Sequence, residues 1–87
     1  MSRMSAKYIA NKVGKSTTWV YELWETMELV TKDKFGDWAL TEFGRSVGGK
    51  MSKGNYLSVP VFDFETIIKL MMDFYNRNFD QLKGGLK

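Results

Sequence analysis

Apolar residues recur every three or four positions near the start of the chain, which is the spacing of one face of an α-helix. The first such stripe consists of Ala6, Ile9, Ala10 and Val13. Ser5 precedes the stripe and is a favourable N-cap residue, so we predict a helix over residues 5–13. Gly14 is expected to end this helix because glycine readily adopts the left-handed conformation.

A second apolar stripe with helical spacing follows Gly14. Its members are Val20, Leu23, Trp24 and Met27. Ser16 is the candidate N-cap, and we predict a second helix from there to about residue 28. The opposite face of this helix is polar and carries Thr18, Tyr21, Glu22 and Glu25.

The period of the pattern then changes from helix to strand. Residues 29–31 predict a short strand, residues 33–36 a turn and residues 37–40 a returning strand, which together form a two-stranded ribbon. Thr41 is a candidate N-cap for a short third helix. That helix is expected to end at Gly48 and Gly49, with both glycines supplying left-handed geometry.

The last third of the chain predicts a loop and then a long helix. Residues 50–62 contain Gly54, Asn55 and Pro60, and we predict a loop there with at most a short strand at residues 56–59. Asp63 is the expected N-cap of the final helix, which ends at the Gly84 and Gly85 pair. Its main apolar stripe consists of Phe64, Ile67, Ile68, Met71, Tyr75 and Leu82.

These elements predict a mainly α fold with a small β-ribbon, of the α+β class. The chain has 87 residues, of which 15% are aromatic, and this length suits one small domain. We expect residues 1–62 to form its helical and ribbon part. Residues 63–87 would form a C-terminal helix that packs on that part or makes a dimer contact.

Two residue types are missing from the composition. The chain has no Cys, which excludes disulfides and thiolate zinc ligands, and no His, which removes the commonest general base and metal ligand. We therefore expect a protein that is not an enzyme and that uses no cofactor or metal ion. No apolar run approaches the ~20 residues that span a bilayer, and no signal-peptide core is present, so we expect no membrane partner and a cytoplasmic location.

Charge is distributed unevenly along the chain. The formal net charge is +3, but residues 1–21 carry +4, residues 22–42 carry −4 and residues 43–62 carry +3. A basic beginning and a basic middle that converge in space would form a surface suited to nucleic acid. The alternative is that these are ordinary solvated lysines.

The first two predicted helices have the spacing of a helix-turn-helix. Ala10 is small enough for the helices to approach, Gly14 makes the turn, and Val20 and Leu23 hold the second helix against the first. Residues 6–25 resemble the helix-turn-helix family, and the ribbon that follows resembles its winged variety. Residues 38–44, with the sequence Trp-Ala-Leu-Thr-Glu-Phe-Gly, resemble the W-x-L-T-x-x-G segment of winged-helix modules in phage-encoded proteins, including phage antirepressors.

The resemblance extends over about half of the chain and implies a small phage or prophage transcriptional regulator that binds double-stranded DNA. By this resemblance, the residues that face the major groove are Ser16, Thr17, Thr18 and Tyr21. The residues that hold phosphates, in the helix pair, the ribbon and the segment after it, are Lys7, Lys12, Lys15, Lys32, Lys34, Arg45, Lys50 and Lys53.

Two features depart from the family pattern. Glu22 and Glu25 lie on the expected groove-facing side, where a carboxylate repels phosphate unless it accepts from a cytosine amino group. The second helix also has no arginine, so bidentate reading of guanine is not available from it. We therefore expect one protomer to bind DNA with modest affinity.

Several alternatives remain open at the level of sequence. The helix pair could be a plain structural hairpin, and the same fold could be a protein-interaction module, such as an antirepressor or an inhibitor of a host or phage protein. The final helix carries more apolar residues than one face needs, which fits either a homodimer contact or a helix that packs on the core with both faces. Trp24 and Trp38 are expected in the core, whereas Trp19 lies near the edge of its stripe and could mark a contact surface.

Overall fold

Helices and strands are interspersed along the chain in the computed structural model, which describes residues 3–53 and 58–85. The helices of this described part are α1 (Ala6–Val13), α2 (Thr17–Thr26), α3 (Glu42–Ser46) and α4 (Phe64–Gly85). The strands are β1 (Arg3–Ser5), β2 (Val30–Lys32), β3 (Trp38–Leu40), β4 (Lys50–Lys53) and β5 (Ser58–Asp63). The α+β class is confirmed, with a larger share of strand than the sequence predicted.

The predicted helix pair at the start of the chain is confirmed. The hydroxyl oxygen of Ser5 accepts from the backbone N–H of Tyr8, and Gly14 ends α1 in the left-handed conformation with φ of 71°. The hydroxyl oxygen of Ser16 accepts from the backbone N–H of Trp19 at 3.0 Å, which caps α2. Helix α2 ends at Thr26, earlier than predicted, because the backbone turns to φ of 64° at Glu28.

The predicted ribbon is also confirmed, shifted by one residue. Strands β2 and β3 pair antiparallel with a register from Val30↔Leu40 to Lys32↔Trp38. Leu29, predicted to begin the first strand, lies just before it and is fully buried. The ribbon therefore leaves the core at its base and extends outward at its turn.

A three-stranded antiparallel sheet replaces the loop predicted for residues 50–62, and this prediction was wrong. The strand order is β1-β5-β4, so β5 is central, with Arg3↔Asp63 pairing on one side and Lys50↔Val61 on the other. Of the short strand expected at residues 56–59, residues 58 and 59 belong to β5, and residues 56 and 57 lie outside the described part. Strand β1 was not predicted at all.

Pro60 misled the sequence interpretation because proline is rare inside a central strand. In the structure, the pairing of β1 with β5 stops at Ser5↔Val61, so Pro60 has a strand partner only on the β4 side, opposite Met51. The proline is nevertheless buried, as is Phe62 two residues later. Alternate residues of β5 therefore face the core.

A single cluster of buried residues connects these elements. Its members are Ala6, Ile9, Ala10, Val20, Trp24, Met27, Leu29, Val30, Leu40, Phe62, Ile67 and Met71. Trp24 lies at the centre, since its ring meets Phe62 edge to face at a centroid distance of 4.9 Å. The indole Nε1 of Trp24 also donates to the Sδ of Met71 at 3.4 Å, which ties α2 to α4.

The final helix begins as predicted, with the Oδ2 of Asp63 accepting from the backbone N–H of Thr66 at 3.1 Å. Its buried face is narrower than the predicted stripe. Ile67 and Met71 are buried, but Tyr75 is 54% exposed, and the side chain of Leu82 lies outside the described residues. In the described part of the chain, no helix is both long and apolar enough to cross a lipid bilayer.

Candidate nucleic-acid interface

The turn between α1 and α2 is tightly held. Both Gly14 and Lys15 donate their backbone N–H groups to the carbonyl oxygen of Ala10, the latter at 2.9 Å. The left-handed conformation of Gly14 permits this close turn. As a result, the first turn of α2 is fixed relative to α1, and Lys15 is exposed directly before it.

The four residues predicted to face a DNA groove differ in their surroundings. Ser16 is exposed, but its hydroxyl oxygen caps α2. Thr17 is half-buried, whereas Thr18 is exposed. Of this group, Thr18 is therefore the side chain most available to a base edge.

Tyr21 does not project from the polar face of α2 as predicted. Its ring stacks on that of Trp38 at a centroid distance of 4.9 Å and an interplanar angle of 4°, and it meets Trp24 edge to face at 5.9 Å. Burial of the phenol raises the pKa of Tyr21 above its usual value because the phenolate would lose hydration. Tyr21 therefore connects α2 to the hairpin formed by β2 and β3.

Lysines predicted to bind phosphate lie over aromatic rings. The distances from Nζ to ring centroid are 5.3 Å for Lys12 over Tyr8, 5.4 Å for Lys15 over Trp19, 5.1 Å for Lys32 over Trp38 and 5.2 Å for Lys34 over Phe35. All four lysines are exposed. Each such contact stabilises an exposed lysine by about 0.5–1 kcal/mol, so the cations are oriented without being removed from solvent.

The ring contacts bring one hairpin lysine close to α2. Lys32 lies over Trp38, and Trp38 stacks on Tyr21, which belongs to the middle of α2. Lys15 lies over Trp19 near the start of the same helix. Two of the predicted phosphate contacts therefore lie beside one helix, with the exposed carboxylates of Glu22 and Glu25 on that helix too.

The other predicted phosphate contacts are distributed over different elements. Lys7 is exposed on α1, Arg45 is exposed on α3, and Lys50 is exposed on β4, an outer strand of the three-stranded sheet. The side chain of Lys53 lies outside the described residues. The ring contacts described above do not extend to any of these residues.

The segment that carries the family resemblance has a structural role in this chain. The hydroxyl oxygen of Thr41 accepts from the backbone N–H of Gly44 at 2.9 Å, and its single O–H donates to the carbonyl oxygen of Glu28, with the carbonyl oxygen of Leu29 farther away at 3.2 Å. A Cβ on Gly44 would collide with the carbonyl oxygen of Leu29. The threonine and the glycine therefore fasten the start of α3 to the end of α2.

The glycines after α3 do not share the role predicted for them. Helix α3 ends at Ser46, and Gly48 adopts a positive φ of 98° as expected. Gly49 does not; a Cβ there would lie 2.6 Å from Cε1 of Phe62 and 2.7 Å from the carbonyl oxygen of Gly44. Gly49 is thus required for close packing.

An apolar groove lies on the surface between the helix pair α1–α2 and α4. Its volume is about 240 Å³, and its lining residues are Val13, Trp19, Leu23, Ile68, Met71, Met72, Tyr75 and Asn76. Sequence reasoning identified Trp19 as a surface candidate but missed the groove. Val13, which belongs to the predicted apolar stripe of the first helix, is 37% exposed and lines this groove.

Phe35 is a second feature that sequence reasoning missed. It lies in the turn between β2 and β3 and is 77% exposed. The signal was an apolar ring within the otherwise polar turn sequence Asp-Lys-Phe-Gly. Among the described residues, no group of three side chains of the His, Cys, Asp and Glu types is placed to hold a metal ion.

No protein-family model, curated protein or solved structure matches this chain. Any function assigned to it therefore depends on the geometry of its own residues.

Proposed function

We propose that this chain is a winged helix-turn-helix protein that binds double-stranded DNA and acts as a small transcriptional regulator of the phage type. In this proposal α2 is the recognition helix and the β2–β3 hairpin is the wing. The observation that supports it best is the stack of Tyr21 on Trp38, which holds the lysine-bearing hairpin beside the exposed face of α2. A helix and an adjacent ribbon fixed in this way can contact the groove and the neighbouring backbone together.

The proposed DNA contacts are of two kinds, base recognition and phosphate binding. Thr18 contacts a base edge in the major groove, since a hydroxyl can both donate and accept. Lys15 and Lys32 bind phosphates on either side of that contact, with Lys12, Lys7 and Lys34 adding to the electrostatic attraction. Tyr21 is a positioning residue that sets the angle between helix and wing.

The two exposed glutamates on α2 restrict this binding. Glu22 and Glu25 are exposed, and their carboxylates repel phosphate groups in any docking register that places them near the DNA backbone. They are favourable only where a carboxylate accepts from the amino group of cytosine. Their effect is to lower affinity for unrelated sequences more than for the correct site.

A dimer would compensate for modest affinity by one protomer. Ile68, Met72 and Tyr75 follow a spacing of four and then three residues along α4, as in a coiled-coil seam. Met72 is 59% exposed and Tyr75 is 54% exposed, and both line the apolar groove. The occupant we propose for this surface is α4 of a second copy, which would place two recognition helices on one inverted repeat.

The first test is fluorescence anisotropy of a labelled random-sequence duplex, titrated with the protein at two salt concentrations. We expect binding that weakens steeply as salt rises. Lys15→Ala and Lys32→Ala should each lower the slope of log K against log salt by about 0.9. Lys69→Ala, which removes an exposed lysine on α4, is the matched control and should leave the slope unchanged.

Two results would contradict the proposal. Absence of binding at low salt would remove the DNA-binding function. An equal effect of the Lys15, Lys32 and Lys69 variants would mean that attraction is diffuse and that α2 and the hairpin form no defined interface.

The dimer is tested separately by sedimentation. The unmodified chain should associate, and Met72→Glu should be a folded monomer. A monomeric unmodified chain at high concentration would refute the dimer.

The alternative is a protein-interaction module of the same fold. The exposed Glu22 and Glu25 on α2 favour it, because an acidic helix suits a basic protein partner. Under this alternative, the Lys15 and Thr18 variants would have no effect in any DNA assay. Loss of partner capture on Glu22→Lys, together with no DNA binding, would establish it over the first proposal.

A further inference from the structure

The turn between β2 and β3 presents an aromatic ring to solvent. Phe35 is 77% exposed, compared with 50% for Phe43, the other strongly exposed phenylalanine of the described residues. Water contact with so much of a phenyl ring is unfavourable, and it gives no benefit to the fold. An exposed ring at the end of a projecting ribbon therefore suggests a contact with another molecule.

Hydrogen bonds hold the backbone of the turn that carries this ring. The Oδ1 of Asp33 accepts from the backbone N–H groups of Phe35 at 2.8 Å and Asp37 at 3.0 Å. The backbone of Asp33 also bonds to Asp37 and Gly36, and Gly36 has a φ of 83° that favours glycine. Since the turn is ordered by its own hydrogen bonds, the ring is presented with little further loss of entropy on binding.

One lysine of the turn lies against the ring. The Nζ of Lys34 lies 5.2 Å from the centroid of Phe35, and Lys32 is exposed at the end of β2. The turn also carries two exposed acids, Asp37 and Asp33, and the Oδ1 of Asp33 accepts from two backbone N–H groups of the turn. An exposed apolar ring with one lysine against it, on a hairpin that also carries Lys32 and lies beside α2, fits a partner that is apolar inside and anionic outside, which describes stacked base pairs between phosphate backbones.

We propose that Phe35 is a wedge that enters the minor groove and inserts between two adjacent base pairs, while Lys32 and Lys34 bind the flanking phosphates. This inference rests on the proposed DNA-binding function and specifies how the wing contributes to it. Apolar side chains inserted in this way unstack one base step and kink the duplex by about 20–90°. Steps of the TA and CA/TG type unstack most easily, so the wedge adds a sequence preference without a hydrogen bond to any base.

The test uses a short duplex with a central TA step and a fluorophore pair at its ends, so that bending raises energy transfer. We expect the unmodified protein to raise energy transfer and Phe35→Ala to abolish the rise while weakening binding about tenfold. Phe43→Ala is the matched control, since it removes an exposed phenylalanine outside the hairpin, and it should bend the duplex as the unmodified protein does. A 2-aminopurine base at the TA step should brighten on unstacking, again with the unmodified protein and not with Phe35→Ala.

The outcomes separate this inference from the proposed function. If the unmodified protein binds the duplex but leaves it straight and its central step stacked, the wedge is refuted and DNA binding stands. Equal losses of affinity for the Phe35 and Phe43 variants would likewise refute the wedge. If the unmodified protein does not bind duplex at low salt, both proposals fail. Thermal unfolding of both variants confirms that they are folded.

Discussion

The two ends of the β2–β3 hairpin differ in burial: the base is packed into the core and the tip is exposed to solvent. At the base, Val30 is paired with Leu40, both are buried, and Thr41 and Gly44 fasten the following helix to the end of α2. At the tip, Phe35 and its lysine neighbours are exposed, and the hydrogen bonds of the turn stay within the turn. The difference teaches that one small element can be packed into the core at one end and exposed to solvent at the other, so that substitutions at the two ends should have separable effects on stability.

Gly44→Ala tests the base most severely. The new Cβ collides with the carbonyl oxygen of Leu29 and lies 3.0 Å from Cδ2 of Leu40. We expect the free energy of unfolding to fall by about 3 kcal/mol. The backbone at Leu29 cannot move away from the new Cβ without disrupting the contact between α3 and the segment that follows α2. Urea unfolding measures this loss, and Arg45→Ala at the neighbouring exposed position should change the midpoint very little. An unchanged midpoint for Gly44→Ala would mean that the base tolerates expansion.

Thr41→Val removes the hydroxyl at the base and keeps the shape of the side chain. The N–H of Gly44 loses its acceptor and the carbonyl oxygen of Glu28 loses its hydroxyl donor, whereas the carbonyl oxygen of Leu29 keeps the backbone N–H of residue 41. We expect a loss of about 2 kcal/mol in the free energy of unfolding. Thr41→Ser retains the hydroxyl and should recover most of that loss. If the serine and valine variants were equally unstable, the methyl group and not the hydroxyl would hold the junction.

Glu28→Gly is expected to stabilise the base of the hairpin, in contrast to the two substitutions above. Glu28 has a φ of 64°, which is unfavourable for a residue with a side chain. Glycine adopts this conformation freely, so the free energy of unfolding should rise by about 0.5–1 kcal/mol despite the added freedom of the unfolded chain. Thermal unfolding detects the change. Glu25→Gly inside α2 is the matched control and should be destabilising by about 1 kcal/mol.

The smallest effect concerns the link between base and tip. The pKa of Tyr21 lies above its usual value of 10.0 because burial disfavours the phenolate. Above pH 10 the unfolded chain therefore releases this proton more readily than the folded chain, and stability falls as pH rises through the folded pKa. Tyr21→Phe keeps the stack and removes the titrating group, so the decline in melting temperature above pH 10 should become shallower. An unchanged decline would assign it to other groups.

Local signals in the sequence were sufficient to predict α1, α2, the β2–β3 hairpin and the start of α3. The caps at Ser5, Ser16 and Thr41 and the left-handed Gly14 involve residues within a few positions of one another, so spacing alone identifies them. The pairing of β1 with β5 involves residues far apart in sequence, such as Met4 and Phe62, and no local pattern reports such pairing. The single Pro60 added a misleading local signal, since its tolerance depends on where β1 stops.

The sequence predicted which residues of the candidate site are exposed, but it did not predict how the elements that carry them are arranged. The exposed positions of Lys15 and Thr18 follow from helical periodicity. The stack of Tyr21 on Trp38 does not, because it depends on the angle at which the hairpin leaves the core. A tyrosine on the polar side of a helical wheel is therefore an ambiguous signal: it can face a ligand, or it can cover the side of the next element.

The pairing of β1 with β5 has a consequence for how the chain folds. Arg3 and Asp63 are neighbours in the sheet, although α1, α2, the hairpin and α3 all lie between them in sequence. Closing so long a loop is entropically costly, so the pairing of β1 with β5 should form after the local helices and hairpin. On a ribosome, the first strand must then wait for most of the chain to be synthesised, and an early stop before β5 would release a helix pair whose edge strand has nothing to pair with.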